Sequence, residues 1–129
     1  MHLTLHTDYA LRLLIYLARI GERRASIAEV AEAQGISRTH LMKVTNALAH
    51  AGFLEATRGR GGGIRLARGP QDINIGAVIR SMEPGRGLVD CTECRLIRQC
   101  GLPAMFSEAT MNFYATLGKY TLSDAMAHG

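Results

Sequence analysis

Residues 26–51 read SIAEVAEAQGISRTHLMKVTNALAHA, and this stretch decides the fold. Ser26 and Glu29 stand at capping-box spacing, with a hydroxyl and a carboxylate placed to satisfy the end amides of a helix. That helix carries Ile27, Val30 and Ala31 inward and ends near Gly35. Ser37 then caps a second helix that runs to about Ala51, with Leu41, Val44 and Leu48 as its buried stripe. Two helices joined through the short Gln34-Gly35-Ile36 turn form a helix-turn-helix. Gly35 supplies the turn, and Ile36 locks the two helices together.

Working outward, Gly52 ends the second helix, and Phe53–Thr57 and Ile64–Leu66 read as short strands. The loop between them is Arg58-Gly59-Arg60-Gly61-Gly62-Gly63. This is a β-ribbon with a glycine-rich, arginine-bearing tip, the form of a wing. A phosphate-cradling nucleotide loop fails on context, because no Gly-Lys-Ser/Thr ending is present and a strand follows instead of a helix. Upstream, Asp8–Ile20 is predicted helical, with Thr7 as N-cap, Leu11, Leu14, Ile15 and Ala18 as its apolar face and Gly21 as its stop. Downstream, Ile75–Met82 reads as a short helix broken by Pro84-Gly85. A longer helix, Pro103 to Leu117, carries Phe106, Ala109, Phe113 and Leu117, widened by Met105 and Met111 and extended by Leu102 and Tyr120.

The expected fold is therefore mainly α with a small β-ribbon: a winged helix-turn-helix domain plus a long dimerisation helix. Three segments follow: a DNA-binding domain over residues 1–83, a cysteine loop over 84–101, and a dimerisation helix with a C-terminal turn over 102–129. A homodimer is expected because DNA readers of this size bind paired half-sites roughly 34 Å apart.

Composition agrees. The 129 residues are 47% hydrophobic and 20% charged, which supports a packed core and excludes a disordered tail. With no Trp and only 3 Phe, that core is aliphatic, as helices favour. The net charge of +4 is concentrated. Residues 36–68 hold Arg38, Lys43, Arg58, Arg60, Arg65 and Arg68 against the single acid Glu55. No signal peptide is visible, and no apolar run reaches the roughly 18 residues of a membrane span. A cytoplasmic, reducing setting and no membrane partner are the expectation.

Double-stranded operator DNA is the expected partner. The second helix of the pair would lie in the major groove and present Ser37, Arg38, Thr39, His40 and Lys43, with Met42 beside them. Arginine and lysine reach phosphate or guanine, and threonine reaches a base edge or phosphate. Arg58 and Arg60 suit a narrow minor groove, whose negative potential attracts guanidinium groups. Arg12, on the first helix, is a further phosphate contact. No catalytic constellation stands out, since the Asp, Glu and His residues are scattered and no nucleophile has an assignable base.

The three cysteines of the chain all fall in Cys91-Thr92-Glu93-Cys94-Arg95-Leu96-Ile97-Arg98-Gln99-Cys100. In a reducing compartment such spacing points to metal or redox chemistry before structural disulfides, and the odd count agrees. Three thiolates can hold one soft metal centre. An iron–sulfur cluster needs a fourth ligand, from Asp90, Glu93 or a distant donor such as Asp8. Zinc with a fourth His or Asp, free thiols, and a redox pair at Cys91 and Cys94 are the competing readings. An iron–sulfur redox protein or a structural-zinc DNA-binding protein would follow from these.

The whole chain resembles the Rrf family of bacterial winged-helix regulators. The carriers are Leu3-Thr4, Thr7-Asp8-Tyr9-Ala10, Gly35-Ile36-Ser37, the Arg58–Leu66 wing, the cysteine loop and Tyr120-Thr121-Leu122-Ser123-Asp124. Within the family the NsrR branch of nitric-oxide-sensing repressors is the most similar. That resemblance implies an iron–sulfur cluster, 4Fe–4S ahead of 2Fe–2S, held by Cys91, Cys94 and Cys100 with Asp8 of the partner subunit. It implies nitric oxide as the signal. The RirA branch, which is iron-responsive, is the runner-up, and a redox-responsive regulator is a further alternative. The IscR branch uses a His three residues after the last Cys, where this chain has Pro103. The chain departs from the NsrR pattern in one respect: only two residues separate Cys91 from Cys94, where that branch has five.

Overall fold

The computed structural model describes residues 2–85 and 87–127. The expected segment assignments of residues 1, 86, 128 and 129 lie outside the described residues. In chain order the elements are α1 (Leu5–Ile20), α2 (Ile27–Gln34), α3 (Arg38–His50), β1 (Leu54–Thr57), β2 (Gly63–Leu66), a 3₁₀ turn (Pro70–Asp72), α4 (Ile75–Met82), α5 (Leu102–Leu117) and α6 (Leu122–Ala127).

The helix-turn-helix forms where the caps predict. The Ser26 hydroxyl accepts from the Glu29 N–H at 3.0 Å, and the Ser37 hydroxyl accepts from the His40 N–H at 3.1 Å. Between them Gly35 takes a left-handed conformation at φ 66°, and its N–H caps α2 on the Ala31 carbonyl. Leu41, Val44 and Leu48 of α3 have no exposed surface. The capping box is completed differently from expectation. The Glu29 carboxylate is taken chiefly by Arg23, at 2.6 Å, and by the Tyr16 hydroxyl, also at 2.6 Å. It thereby ties α1 and the α1–α2 loop to the start of α2. These bonds hold the Glu29 carboxyl well below the usual range, at about 2, the Arg23 bond contributing most and the Tyr16 bond next.

Helix α1 departs from expectation at both its start and its face. It begins at Leu5, and Thr4, not Thr7, is the N-cap, its hydroxyl accepting from the Thr7 N–H at 3.2 Å. The buried face is Ala10, Leu13, Leu14 and Leu17, while Leu11, Ile15 and Ala18 are only partly covered. The reason is compositional: LRLLIYLARI is apolar almost all round, so its periodicity does not select one face.

The wing is a two-stranded antiparallel ribbon with Leu54 opposite Leu66 and Glu55 opposite Arg65. Its second strand joins the body through a bridge in which Ala25 and Ile64 exchange backbone hydrogen bonds of 2.8 and 3.0 Å. Gly63 permits this approach: a Cβ there would stand 2.6 Å from the Ala25 carbonyl oxygen. Ile64, fully inside, pins the ribbon to the core.

The chain's end returns to the winged body. The Leu122 N–H donates to the Ile73 carbonyl at 2.8 Å, and the Leu122 side chain has no exposed surface. Helix α6 packs on α1, whereas α5 packs on α4 and buries none of its own residues. Leu102, Met105 and Met111 of α5 are each at least half exposed. No helix among the described residues is long and apolar enough to cross a membrane.

Candidate nucleic-acid interface and cysteine loop

The N-terminal half of α3 and the wing tip supply the free cations. Arg38, Thr39 and Lys43 are exposed, as is Met42. Arg38, Lys43, Arg58 and Arg60 have no hydrogen-bond or ion-pair partner among the described residues. The other two basic groups of this region are engaged. Arg65 pairs across the ribbon with Glu55 at 3.0 Å. Arg68 lies 5.4 Å from the centre of the Phe53 ring and reaches the Gly52 carbonyl at 3.4 Å. Charge counting alone gave all six equal weight; the fold leaves four available.

Two sequence-nominated residues have structural duties. His40 is partly buried, edge-on to the Tyr9 ring at 4.7 Å and stacked with His6 at 6.5 Å, so it ties the first turn of α3 to α1. Ser37 spends its hydroxyl on the cap. Arg12 is also engaged: its Nε and Nη2 donate to the two Asp8 carboxylate oxygens at 3.1 and 3.0 Å, with Tyr9 5.6 Å away. An exposed i,i+4 pair of this kind contributes only about 0.3–0.5 kcal/mol. Either member is therefore free to exchange it for a stronger partner. Arg24, not among the residues expected to meet DNA, donates to the Thr57 hydroxyl at 3.0 Å and adds a cation where β1 enters the wing loop. Its only signal was position, next to the residue that bridges to the wing.

The cysteine loop follows α4 and, among its described residues, has turns but no helix or strand. Cys91 and Cys100 are half-buried, Cys94 is exposed, and all three are free thiols. Local turns hold the segment, through Cys94 N–H to the Cys91 carbonyl at 3.2 Å and Gln99 N–H to the Leu96 carbonyl at 2.8 Å. Asp90 is occupied as a turn former, accepting from the Thr92 hydroxyl at 2.6 Å and the Thr92 N–H at 3.0 Å, which lowers its pKa. Among the described residues no three His, Cys, Asp or Glu side chains converge on one point. Three unpaired thiols on one loop fit a thiolate-bound iron–sulfur cluster in donor kind and lack one donor in number.

A family model described as Rrf2, iron-dependent transcriptional regulator, matches residues 3–128. The chain belongs to the Rrf2 family. Among curated relatives it is 47% identical to the HTH-type transcriptional regulator NsrR of Bacillus subtilis (strain 168), over 96% of this chain and 89% of that one. Its fold matches that of T. potens IscR with a TM-score of 0.79 at 26% identity, over 99% of this chain and 88% of that one. CymR (YrzC), the global cysteine regulator of B. subtilis, shares the fold at a TM-score of 0.75 and 24% identity, over 100% of this chain and 98% of that one. This Rrf2 chain is thus a transcriptional regulator with a winged helix-turn-helix and an NsrR-like sequence throughout.

Proposed function

We propose that this chain is a homodimeric, iron–sulfur-dependent repressor that lets go of operator DNA in response to nitric oxide. The observation that carries the reading is the presence, on one NsrR-like winged chain, of three free thiols within ten residues of one loop. Arg38, Thr39 and Lys43 serve the major groove, with Ser37 and His40 setting the pose of α3. Arg58 and Arg60 serve the minor groove, and Arg12 a flanking phosphate. Cys91, Cys94 and Cys100 of one subunit and Asp8 of the partner subunit hold the cluster, 4Fe–4S rather than 2Fe–2S. When bound, the cluster supplies iron that nitric oxide can attack and a link between subunits.

The residues of the chain account for the rest. Asp8 is a hard oxygen donor in an otherwise thiolate set, and Arg12 stands ready beside it as a competing partner. The apolar surface of α5, with Leu102, Met105 and Met111, faces a second copy and sets the distance between the two recognition helices. Residues 1–83 form the DNA-binding domain, 84–101 the cluster loop and 102–129 the dimerisation segment, whose last turn packs back on the winged body. The cytoplasm is where such a protein meets DNA and keeps its thiols reduced.

A second reading, release on iron loss, is favoured by the family's description as iron-dependent. Anaerobic purification tests the common ground of both. The wild type is expected to carry iron, sulfide and visible absorption, and Cys94→Ala to lose all three. A colourless, iron-free wild type that still holds and releases its operator would overturn the proposal.

A further inference from the structure

Glu83 ends α4, its N–H closing the helix on the Ile79 carbonyl at 2.9 Å. Its side chain reaches across the molecule to the start of α1. One carboxylate oxygen, Oε2, accepts from the Thr4 N–H at 3.1 Å, from the Thr4 hydroxyl at 2.6 Å and from the Thr7 hydroxyl. Thr7 is completely buried. A carboxylate at a helix N-terminus also meets unpaired amides and the positive end of the helix dipole. Burial pushes the Glu83 carboxyl up, but the bonds from Thr4 and Thr7 outweigh it and leave the group below its ordinary value. The partners are 76 and 79 positions apart in sequence, so nothing local requires the contact.

The clamp stands where three functional elements meet. The turn it grips carries Asp8. On that same turn His6 and Tyr9 pack against His40, in the first turn of α3. Immediately after Glu83 the chain enters the cysteine loop, and Glu83 and Cys91 line one cleft of about 380 Å³ together with Phe106 and Tyr114 of α5.

We propose that Glu83 is a positioning residue: it keeps the Asp8-bearing turn of α1 in register with the root of the cysteine loop, so that a change at Cys91 reaches α3 through His6, Tyr9 and His40. The inference rests on the iron–sulfur reading above. Glu83 acts through hydrogen bonds to α1, with its Oε2 accepting from three donors.

The test compares full-length wild type, Glu83→Ala and Glu83→Gln on a duplex selected by the wild type from a random pool. Affinity is measured for protein loaded with iron and for protein stripped of it. The wild-type loaded-to-stripped ratio is expected in the range of about 5–150, and Glu83→Ala is expected to bring it to within about twofold of one. Glu83→Gln keeps an oxygen that accepts from Thr4 and Thr7 and is expected to retain most of the ratio. A second readout needs no iron: in the stripped protein Glu83→Ala is expected to shift the His40 ring-proton resonances, as the Tyr9 ring moves. Should Glu83→Ala fail to fold, Thr7→Val removes one donor at nearly constant shape and is expected to lower the ratio in the same direction. A wild-type ratio of one would sink the iron–sulfur reading and this inference with it. A high wild-type ratio kept by Glu83→Ala, or by Thr7→Val in its place, with the His40 resonances unmoved, would sink the inference alone.

Discussion

Two pairs of arginines on this chain offer a controlled experiment, because removing either pair changes the net charge equally. Arg58 and Arg60 are unpartnered at the wing tip, whereas Arg65 is held by Glu55 and Arg68 lies on Phe53. On the α3 and wing surface, Arg38, Lys43, Arg58 and Arg60 have no partner among the described residues, which makes eight such cations in the proposed homodimer. Each neutralised phosphate contributes about 0.9 to the slope of log affinity against log salt, so eight give a slope of roughly −7. Over a change from about 50 to 200 mM salt that is a loss of about 10⁴ in affinity. Arg58→Ala/Arg60→Ala removes four contacts per dimer and is expected to flatten the slope by roughly 3.6, cutting the loss to about 10². Arg65→Ala/Arg68→Ala is expected to leave the slope within about one unit of wild type. The assay is fluorescence anisotropy of a labelled operator duplex at several salt concentrations. Equal flattening by both double variants would show instead that net charge and not placement governs binding.

Other outcomes follow from the packing and the ion pairs. Leu122→Ala opens a fully buried site where α6 meets the 3₁₀ turn and α1, and is expected to cost about 2–5 kcal/mol. At roughly 4 °C per kcal/mol for a domain of this size, thermal melting would fall by about 8–20 °C; an unchanged melt would show that α6 does not belong to the winged body. The Glu29 carboxyl is depressed from 4.5 to about 2 in the folded protein. Its stabilisation is therefore fully present above pH 4.5 and is lost as pH falls toward 2. Glu29→Gln should accordingly melt below wild type at neutral pH and converge with it near pH 2, as thermal melts across that range would record. Ser37→Ala removes the α3 cap and is expected to cost about 1 kcal/mol of stability by denaturant titration, with a further loss of operator affinity as the first turn frays.

Much of this molecule is legible in its sequence where the signal is local. Ser26, Gly35 and Ser37 mark the helix-turn-helix because caps and turns act over three or four residues, and the structure places all three as expected. The wing is legible because its glycines and strand residues sit together. The face of α1 was not, since leucines on every side leave the choice to tertiary packing. Thr7 looked like a cap because a threonine before an apolar run has that form; its hydroxyl instead serves Glu83, a partner 76 residues away. His40 could not be told from a base-reading side chain until Tyr9 was seen against it. The thiols were obvious, yet whether they converge depends on groups beyond the loop, Asp8 among them.

In the proposed function the state of a thiolate-held cluster sets the grip on DNA. The most direct measurement adds nitric oxide in steps to the anaerobic complex of protein and operator, following visible absorption and DNA release together. Both are expected to change over the same additions, and Cys94→Ala is expected to give no nitric-oxide-dependent release. Full loss of the iron–sulfur absorption with the operator still held as tightly as before would contradict it.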